Sequence, residues 1–242
     1  MEKLVQQANQ ALSCVESGQT ILVGGFGLIG APLTLIDGLI KKDVKDLTIV
    51  SNNIGEPGRG LGLVLNQNKI KKAIGSYFTS NRDVGDKYQK GEIELELLPQ
   101  GTLSESIRAG GAGLGGYYTT TGVGTDLAIG KEERVIDGTT YILEKSIHAD
   151  IALIRAHKAD TLGNLVYYKT ARNFNPLMAT AAKTVIVEVD EIVEPGELNP
   201  EEIITPHLYV DTILVAEHIL TTEGVVVHDR ESIENRVTAN NR

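Results

Sequence analysis

With 242 residues, 41% of them hydrophobic and 23% charged, the chain is long enough to bury a full core and reads as one ordinary globular domain, neither low-complexity nor fibrous. Its 32 Asp and Glu against 23 Lys and Arg leave a formal charge of -9, which repels phosphate backbones over most of the surface and argues against nucleic acid as a partner. A single cysteine, Cys14, excludes an intrachain disulfide and suits a reducing compartment, with the cytoplasm as the expectation.

At the start, Leu4, Val5, Ala8, Ala11, Leu12 and Val15 share one helical face, so the spacing predicts a packed first helix rather than a leader peptide. Cys14 falls on the apolar side of that helix, which predicts a buried, inert thiol. The uncharged run from Ser17 to Ile36 carries five glycines and Pro32, so it reads as strand, loop and buried helix start, not as a membrane span. Its strand covers 20 to 24, and its helix opens near Pro32 with Ile36, Leu39 and Ile40 as the apolar stripe, ending at Lys41 and Lys42. Further strands are expected over 47 to 51, 71 to 77 and 92 to 98. The last alternates Ile93, Leu95 and Leu97 with Glu92, Glu94 and Glu96, the pattern of a strand near a sheet edge.

A helix is expected from Thr102, with Thr102 and Glu105 as a capping box. The glycine- and threonine-rich stretch from Gly110 to Gly130 reads as a loop lining a site or an interface. Asp137-Gly138 predicts a hairpin turn, and 150 to 156, 164 to 168 and 184 to 190 continue the strands. Strands alternating with helical patterns give an α/β fold, a mostly parallel sheet with flanking helices. One domain is expected over residues 1 to 215, with a polar C-terminal extension over 216 to 242 and no internal repeat.

Chemistry concentrates in Gly24-Gly25-Phe26-Gly27-Leu28-Ile29-Gly30, a glycine-dense turn between an apolar strand and a helix. Such a turn leaves backbone N–H groups available beside the positive end of the helix, a setting for an anion or a developing oxyanion. Gly25, Gly27 and Gly30 also match the spacing of a dinucleotide fingerprint. That fold requires a carboxylate at the tip of the next strand to grip the ribose, and here the tip reads Ser51-Asn52-Asn53. A second match at Gly111, Gly113 and Gly116 follows a helix pattern instead of a strand.

The blocks GGFGLIGAP, LTIVSNN, LLPQGTLSESIRAGGAG, YYTTTGVGT and KTARNFN, in this order, resemble the alpha (A) subunit of the 3-oxoacid CoA transferases. The resemblance implies transfer of CoA between succinyl-CoA or acetyl-CoA and acetoacetate, with CoA as a substrate and no tightly bound cofactor. It implies a glutamate nucleophile on a beta-type partner subunit, in a Ser-Glu-Asn-Gly type motif absent from this chain, and a glutamyl-CoA thioester intermediate. The nearest string here, Ile233-Glu234-Asn235-Arg236, is given no catalytic role. Asn52 and Gln100 match the family's supporting positions, where an amide donates to the oxyanion or holds the glutamate in line. The turn from Gly24 to Gly30 matches the segment assigned to CoA or oxyanion contact, with Phe26 as an aromatic wall. Acetate, butyrate and 3-oxoadipate transferases share much of the pattern, so the acceptor acid stays open.

Each of these residues also has a plainer role: Asn52 as a turn residue bonding nearby backbone, and Gln100 as a solvated loop amide. Arg172, Asn173 and Asn175 serve an interface or a local turn, and their part is left open. The five histidines show no i, i+4 pair and no Cys/His cluster, so no metal is expected. Two other readings of the turn are a dinucleotide-linked oxidoreductase and a metabolite-sensing module, the latter normally carrying a DNA-binding appendage that neither the acidic N-terminal helix nor the short tail resembles.

Overall fold

The computed structural model describes residues 3–221 and 224–227. β1 (Leu4–Val5) and α1 (Ala8–Ala11) open the chain. Then β2 (Thr20–Val23), α2 (Leu33–Lys41), β3 (Leu47–Val50), α3 (Leu61–Asn66), β4 (Ile70–Gly75), α4 (Arg82–Gln89), β5 (Glu94–Leu97) and α5 (Gln100–Gly111) alternate strictly. An insertion follows, built of β6 (Gly116–Thr119), β7 (Glu133–Ile136) and β8 (Thr139–Lys145). β9 (Ala149–Asp160), β10 (Leu165–Val166), α6 (Asn175–Thr180), β11 (Ala182–Val193) and β12 (Thr212–Val215) complete the main body. β13 (His218–Thr221) and β14 (Gly224–Val227) pair as a separate hairpin.

The main sheet runs β1-β12-β11-β9-β2-β3-β4-β5, and every pairing along that path is parallel; only β10, beside β9, is antiparallel. From β2 the chain winds outward through β3, β4 and β5, and from β9 it winds the other way through β11 and β12. The direction therefore reverses between β2 and β9, and a crevice opens at the carboxyl ends of the strands where the order of an open parallel sheet reverses.

Period-two alternation assigns the core to two layers. Ile21 and Val23 of β2, Ile49 of β3 and Leu153 of β9 pack with Leu35, Ile36 and Leu39 of α2 on one face. Leu22, Val50, Ala152 and Ile154 meet Leu103 and Ile107 of α5 and Met178 of α6 on the other. All three of Ile21, Leu22 and Val23 are fully buried, because both faces of a central parallel strand are covered.

The edge position of the alternating strand holds, since β5 closes one end of the sheet. Its face is less regular than the alternation suggests: Ile93 is buried, Leu95 packs on the core, and Leu97 is exposed. Asp137 and Gly138, both at positive φ (50° and 76°), form the hairpin turn between β7 and β8.

Several expectations require correction. Leu4 and Val5 form a strand rather than the start of a helix, because β12 offers them a ladder, and only Ala8–Ala11 is helical. Cys14 is exposed, since α1 ends before it. Desolvation still raises its pKa, which disfavours a reactive thiolate. Thr102 is not a cap: α5 starts two residues earlier, at Gln100, and Glu105 pairs with Arg108 at 2.7 Å instead. The stretch from Gly110 to Gly130 is only partly loop, because it contains the end of α5, β6 and a short 3-10 turn, Asp126–Ala128. The strand expected over 164 to 168 shrinks to Leu165–Val166.

A repeated turn, not expected from the sequence, also appears. After β2, Phe26 and Ile29 bridge as a two-residue hairpin; after β3, Glu56 and Arg59 do the same. Both turns return to a glycine at positive φ, Gly30 at 70° and Gly60 at 55°. In the polar extension, β13 and β14 occupy 218–221 and 224–227, while His228 and Ile233-Glu234-Asn235-Arg236 lie outside the described residues.

Candidate active site at the carboxyl edge of the sheet

The glycine turn leaves β2 at the point where the sheet reverses. Gly24 N–H donates to Leu153 O of β9 at 2.9 Å, so the turn starts firmly attached to the neighbouring strand. Phe26 N–H donates to Ile29 O at 2.9 Å and Ile29 N–H returns to Phe26 O at 3.3 Å, closing the hairpin. Gly25, Gly27 and Gly30 have φ of 121°, 61° and 70°, which an L side chain resists. Among the described residues, the N–H groups of Gly27 and Leu28 at the tip carry no hydrogen bond. The turn therefore offers fewer donors than its glycine count suggests. Phe26 and Ile29 are 53% and 49% exposed, while Leu28 points inward.

The tip lies beside the next strand's end: a Cβ built on Gly27 would stand 4.0 Å from Asn53 Nδ2. At that end Ser51 Oγ donates to Val23 O at 2.8 Å, tying β3 to β2 just below the turn. Asn52 is 1% exposed. Its Nδ2 donates to Gln100 Oε1 at 2.8 Å and to Ser76 Oγ at 3.2 Å. Ser76 Oγ also donates to Gln100 Oε1. The carboxyl ends of β3, β4 and β5 thus converge on one amide oxygen, brought there because Pro99 caps α5 and places Gln100 in its first turn. Gln100 is itself exposed, and with its oxygen doubly held its Nε2 has no partner among the described residues. Two donors fix the acceptor end, so the donor end projects from a stiff mount.

The structure brings Asn52 and Gln100 together, and it adds Ser76, which the sequence reading passed over. Ser76 stands one residue after β4, as Asn52 stands two after β3, so position relative to strand ends was the available signal. Phe26 lies in the neighbouring turn, with its ring exposed rather than packed.

Below the turn sits a buried charge cluster. Glu188 is fully buried, accepts Leu35 N–H in the first turn of α2 at 3.0 Å and pairs with Arg155 at 2.6 Å. Arg155 also contacts Asp190, which meets His157 at 3.1 Å. Burial pushes the Glu188 carboxyl up to about 7, with Arg155 and the helix N–H groups pulling against it. A cavity of about 360 Å³, lined by Ile29, Gly30, Arg155, His157 and Tyr168 among others, adjoins this side of the turn.

Among the described residues no group of three or more His, Cys, Asp or Glu could hold a metal ion, and no helix is long and apolar enough to cross a membrane. A family profile described as Coenzyme A transferase matches residues 5–216. The A subunit of succinyl-CoA:3-ketoacid coenzyme A transferase from Helicobacter pylori (strain J99) is 54% identical over 90% of this chain and 94% of its own length. The alpha subunit of acetate CoA-transferase from Escherichia coli (strain K12) is 45% identical over 90% of this chain and 99% of its own. Among solved structures, an acyl-CoA transferase from E. coli O157:H7, in a thioester complex with CoA, superposes with a TM-score of 0.81 at 22% identity. That match covers 94% of this chain but only 50% of the other, so the present chain spans about half the length of that enzyme. The parallel sheet and these matches agree: the chain belongs to the coenzyme A transferase family.

Proposed function

We propose that this chain is the alpha-type component of a heteromeric CoA transferase, moving CoA between succinyl-CoA or acetyl-CoA and a 3-oxoacid such as acetoacetate. The names of the relatives and the family match over residues 5–216 support this reading. The observation that carries it at the site is Gln100, whose amide oxygen is held by Asn52 and Ser76 so that its Nε2 is presented at the carboxyl edge.

In the reaction, a carboxylate from a beta-type partner attacks the thioester carbonyl, and the carbonyl oxygen takes up negative charge. The C–S bond then breaks, the CoA thiolate departs, and an acyl anhydride remains. The thiolate attacks the partner's side of that anhydride, releasing the free acid as its carboxylate and leaving a thioester on the partner. The second acid reverses these steps. Proton transfer and water are not required, so the chain contributes donors and shielding rather than an acid or a base. Gln100 Nε2 and the tip N–H groups of Gly27 and Leu28 supply donors of the kind that stabilise an oxyanion. Asn52 and Ser76 act through Gln100. CoA is a substrate and no resident cofactor takes part. Residues 1–215 form the transferase domain, and the cytoplasm is the compartment.

3-Oxoadipate and acetate are the alternative acceptors, supported by 50% identity to the A subunit of a 3-oxoadipate enzyme and 45% identity to the alpha chain of the acetate enzyme. The test is to coexpress the chain with its beta-type partner and follow CoA transfer from succinyl-CoA to acetoacetate, acetate and 3-oxoadipate. The pair is expected to turn over while the purified chain alone does not. Incubation with acyl-CoA only should leave the partner's glutamate heavier by CoA less one water and release one acid per site. Robust turnover by this chain alone would overturn the division of labour.

A further inference from the structure

The segment Lys169–Phe174 and the start of α6 lie across the glycine turn, far from it in sequence, and grip it through two asparagine amides. Asn173 Oδ1 accepts Gly25 N–H at 3.1 Å, and its Nδ2 donates to Ile29 O at 2.9 Å. One side chain thus bridges both legs of the hairpin. Asn175 is fully buried; its Nδ2 donates to Gly30 O at 3.0 Å and to Ala171 O at 2.9 Å, while its Oδ1 accepts Arg155 N–H of β9 at 2.9 Å. A side chain at Gly24 would run into the Asn175 amide, and one at Gly30 into Ala171 O. Both glycines are therefore small because the asparagine segment is there.

The segment is held against its own backbone preference. Lys169 and Asn173 both have positive φ, 48° and 21°, within one short stretch. Such non-glycine conformations persist where surrounding contacts over-determine them. At Asn173 those contacts all lead to the turn or to its own segment.

We propose that Asn173 and Asn175 are positioning residues for the transfer reaction, fixing the direction of the Gly27 and Leu28 N–H groups by clamping the base of the turn. Asn173 sets the spacing of the two legs, and Asn175 anchors the exit of the turn to β9. Neither touches the reacting atoms. This inference rests on the transferase reading for its kinetic consequence, whereas the clamp itself is a property of the chain.

The experiment uses Asn173→Gly in the assembled complex with its beta-type partner. Glycine takes up the φ of 21° more easily than any residue with a side chain, so the fold is disturbed least while both amide bonds disappear. Asn173→Asp keeps the acceptor for Gly25 N–H but turns a carboxylate oxygen toward Ile29 O. Amide hydrogen exchange at Gly24, Phe26 and Ile29, the turn amides bonded to other backbone, is expected to accelerate at least about tenfold in Asn173→Gly, because the openings that expose these amides become easier. The kcat for CoA transfer should fall about 10- to 100-fold with KM for acyl-CoA nearly unchanged, the signature of misplaced transition-state donors. Asn173→Asp should fall between wild type and glycine in exchange.

Unchanged exchange in Asn173→Gly overturns the clamp. Faster exchange with wild-type kcat overturns the positioning role and leaves Asn173 a structural tie. If the wild-type complex transfers no CoA at all, the transferase reading fails, and the exchange result alone still decides the clamp.

Discussion

Gln100 is exposed, yet its oxygen end is fixed by donors from the ends of two other strands. This arrangement makes the effect of each substitution separable. Gln100→Ala removes the donor and should lower kcat by roughly 10- to 1000-fold with little change in folding, measured as CoA transfer in the assembled complex. Asn52→Ala should reduce kcat by a similar order while also destabilising the chain, because a buried amide with two partners is lost. Wild-type rates in both would return these amides to a structural role.

Glu188 predicts a pH dependence at the same scale. Its carboxyl is raised from an ordinary 4.5 to about 7 by burial, so between those values the folded chain binds a proton that the unfolded chain has released. Its contribution to stability is therefore fully present below about 4.5 and is lost as pH rises through about 7. Urea midpoints across that window should decline with rising pH, and Glu188→Gln should flatten that part of the curve. An unchanged slope in the variant would mean that Glu188 titrates normally.

At the scale of elements, the position of Gln100 depends on how α5 is seated. Gly110 and Gly111, at its far end, have no room for a side chain: a Cβ on Gly110 would strike Ile147 O, and one on Gly111 the Thr180 hydroxyl of α6. Gly110→Ala should cost about 1–3 kcal/mol, as other overpacked sites do, measured by chemical denaturation. A neutral result would show that the α5 terminus is free to shift.

The same helix shows what the sequence made legible. Alternating strands and helices were readable because a buried parallel strand needs an uninterrupted apolar run, as in Ile21, Leu22 and Val23. The glycine turn was legible from its composition, and Asn52 and Gln100 from resemblance. The start of α5 was not, because Thr102 and Glu105 satisfy a local rule that the preceding Pro99 pre-empts. Leu4 and Val5 were misread because a two-residue edge strand depends on β12, at the other end of the chain. Ser76 and the asparagine clamp escaped because their meaning lies wholly in tertiary contacts, which residue types alone do not encode.

For the molecule as a whole, the carboxyl edge carries several exposed apolar side chains on an acidic chain. Phe26, Ile29, Tyr77 and Leu97 are each about half exposed around the ends of β2, β4 and β5, against a formal charge of -9. Exposed apolar side chains on one edge suit a surface that another protein covers, and the proposed beta-type subunit would cover this edge while completing the site. Leu97→Asp should weaken association, read as a shift from complex to free chain in size-exclusion chromatography, without lowering the thermal midpoint of the isolated chain. An unaltered elution profile would place the contact elsewhere.

The twin turns after β2 and β3 touch: a Cβ on Gly60 would lie 2.8 Å from Leu28 Cδ2. The first turn therefore leans on bare backbone of the second, like a tile resting on its neighbour. Leu28 thus packs where a side chain at position 60 would have to go, so Gly60→Ala would press on Leu28 from the neighbouring turn. The glycine count of the second turn is in this way part of what shapes the first.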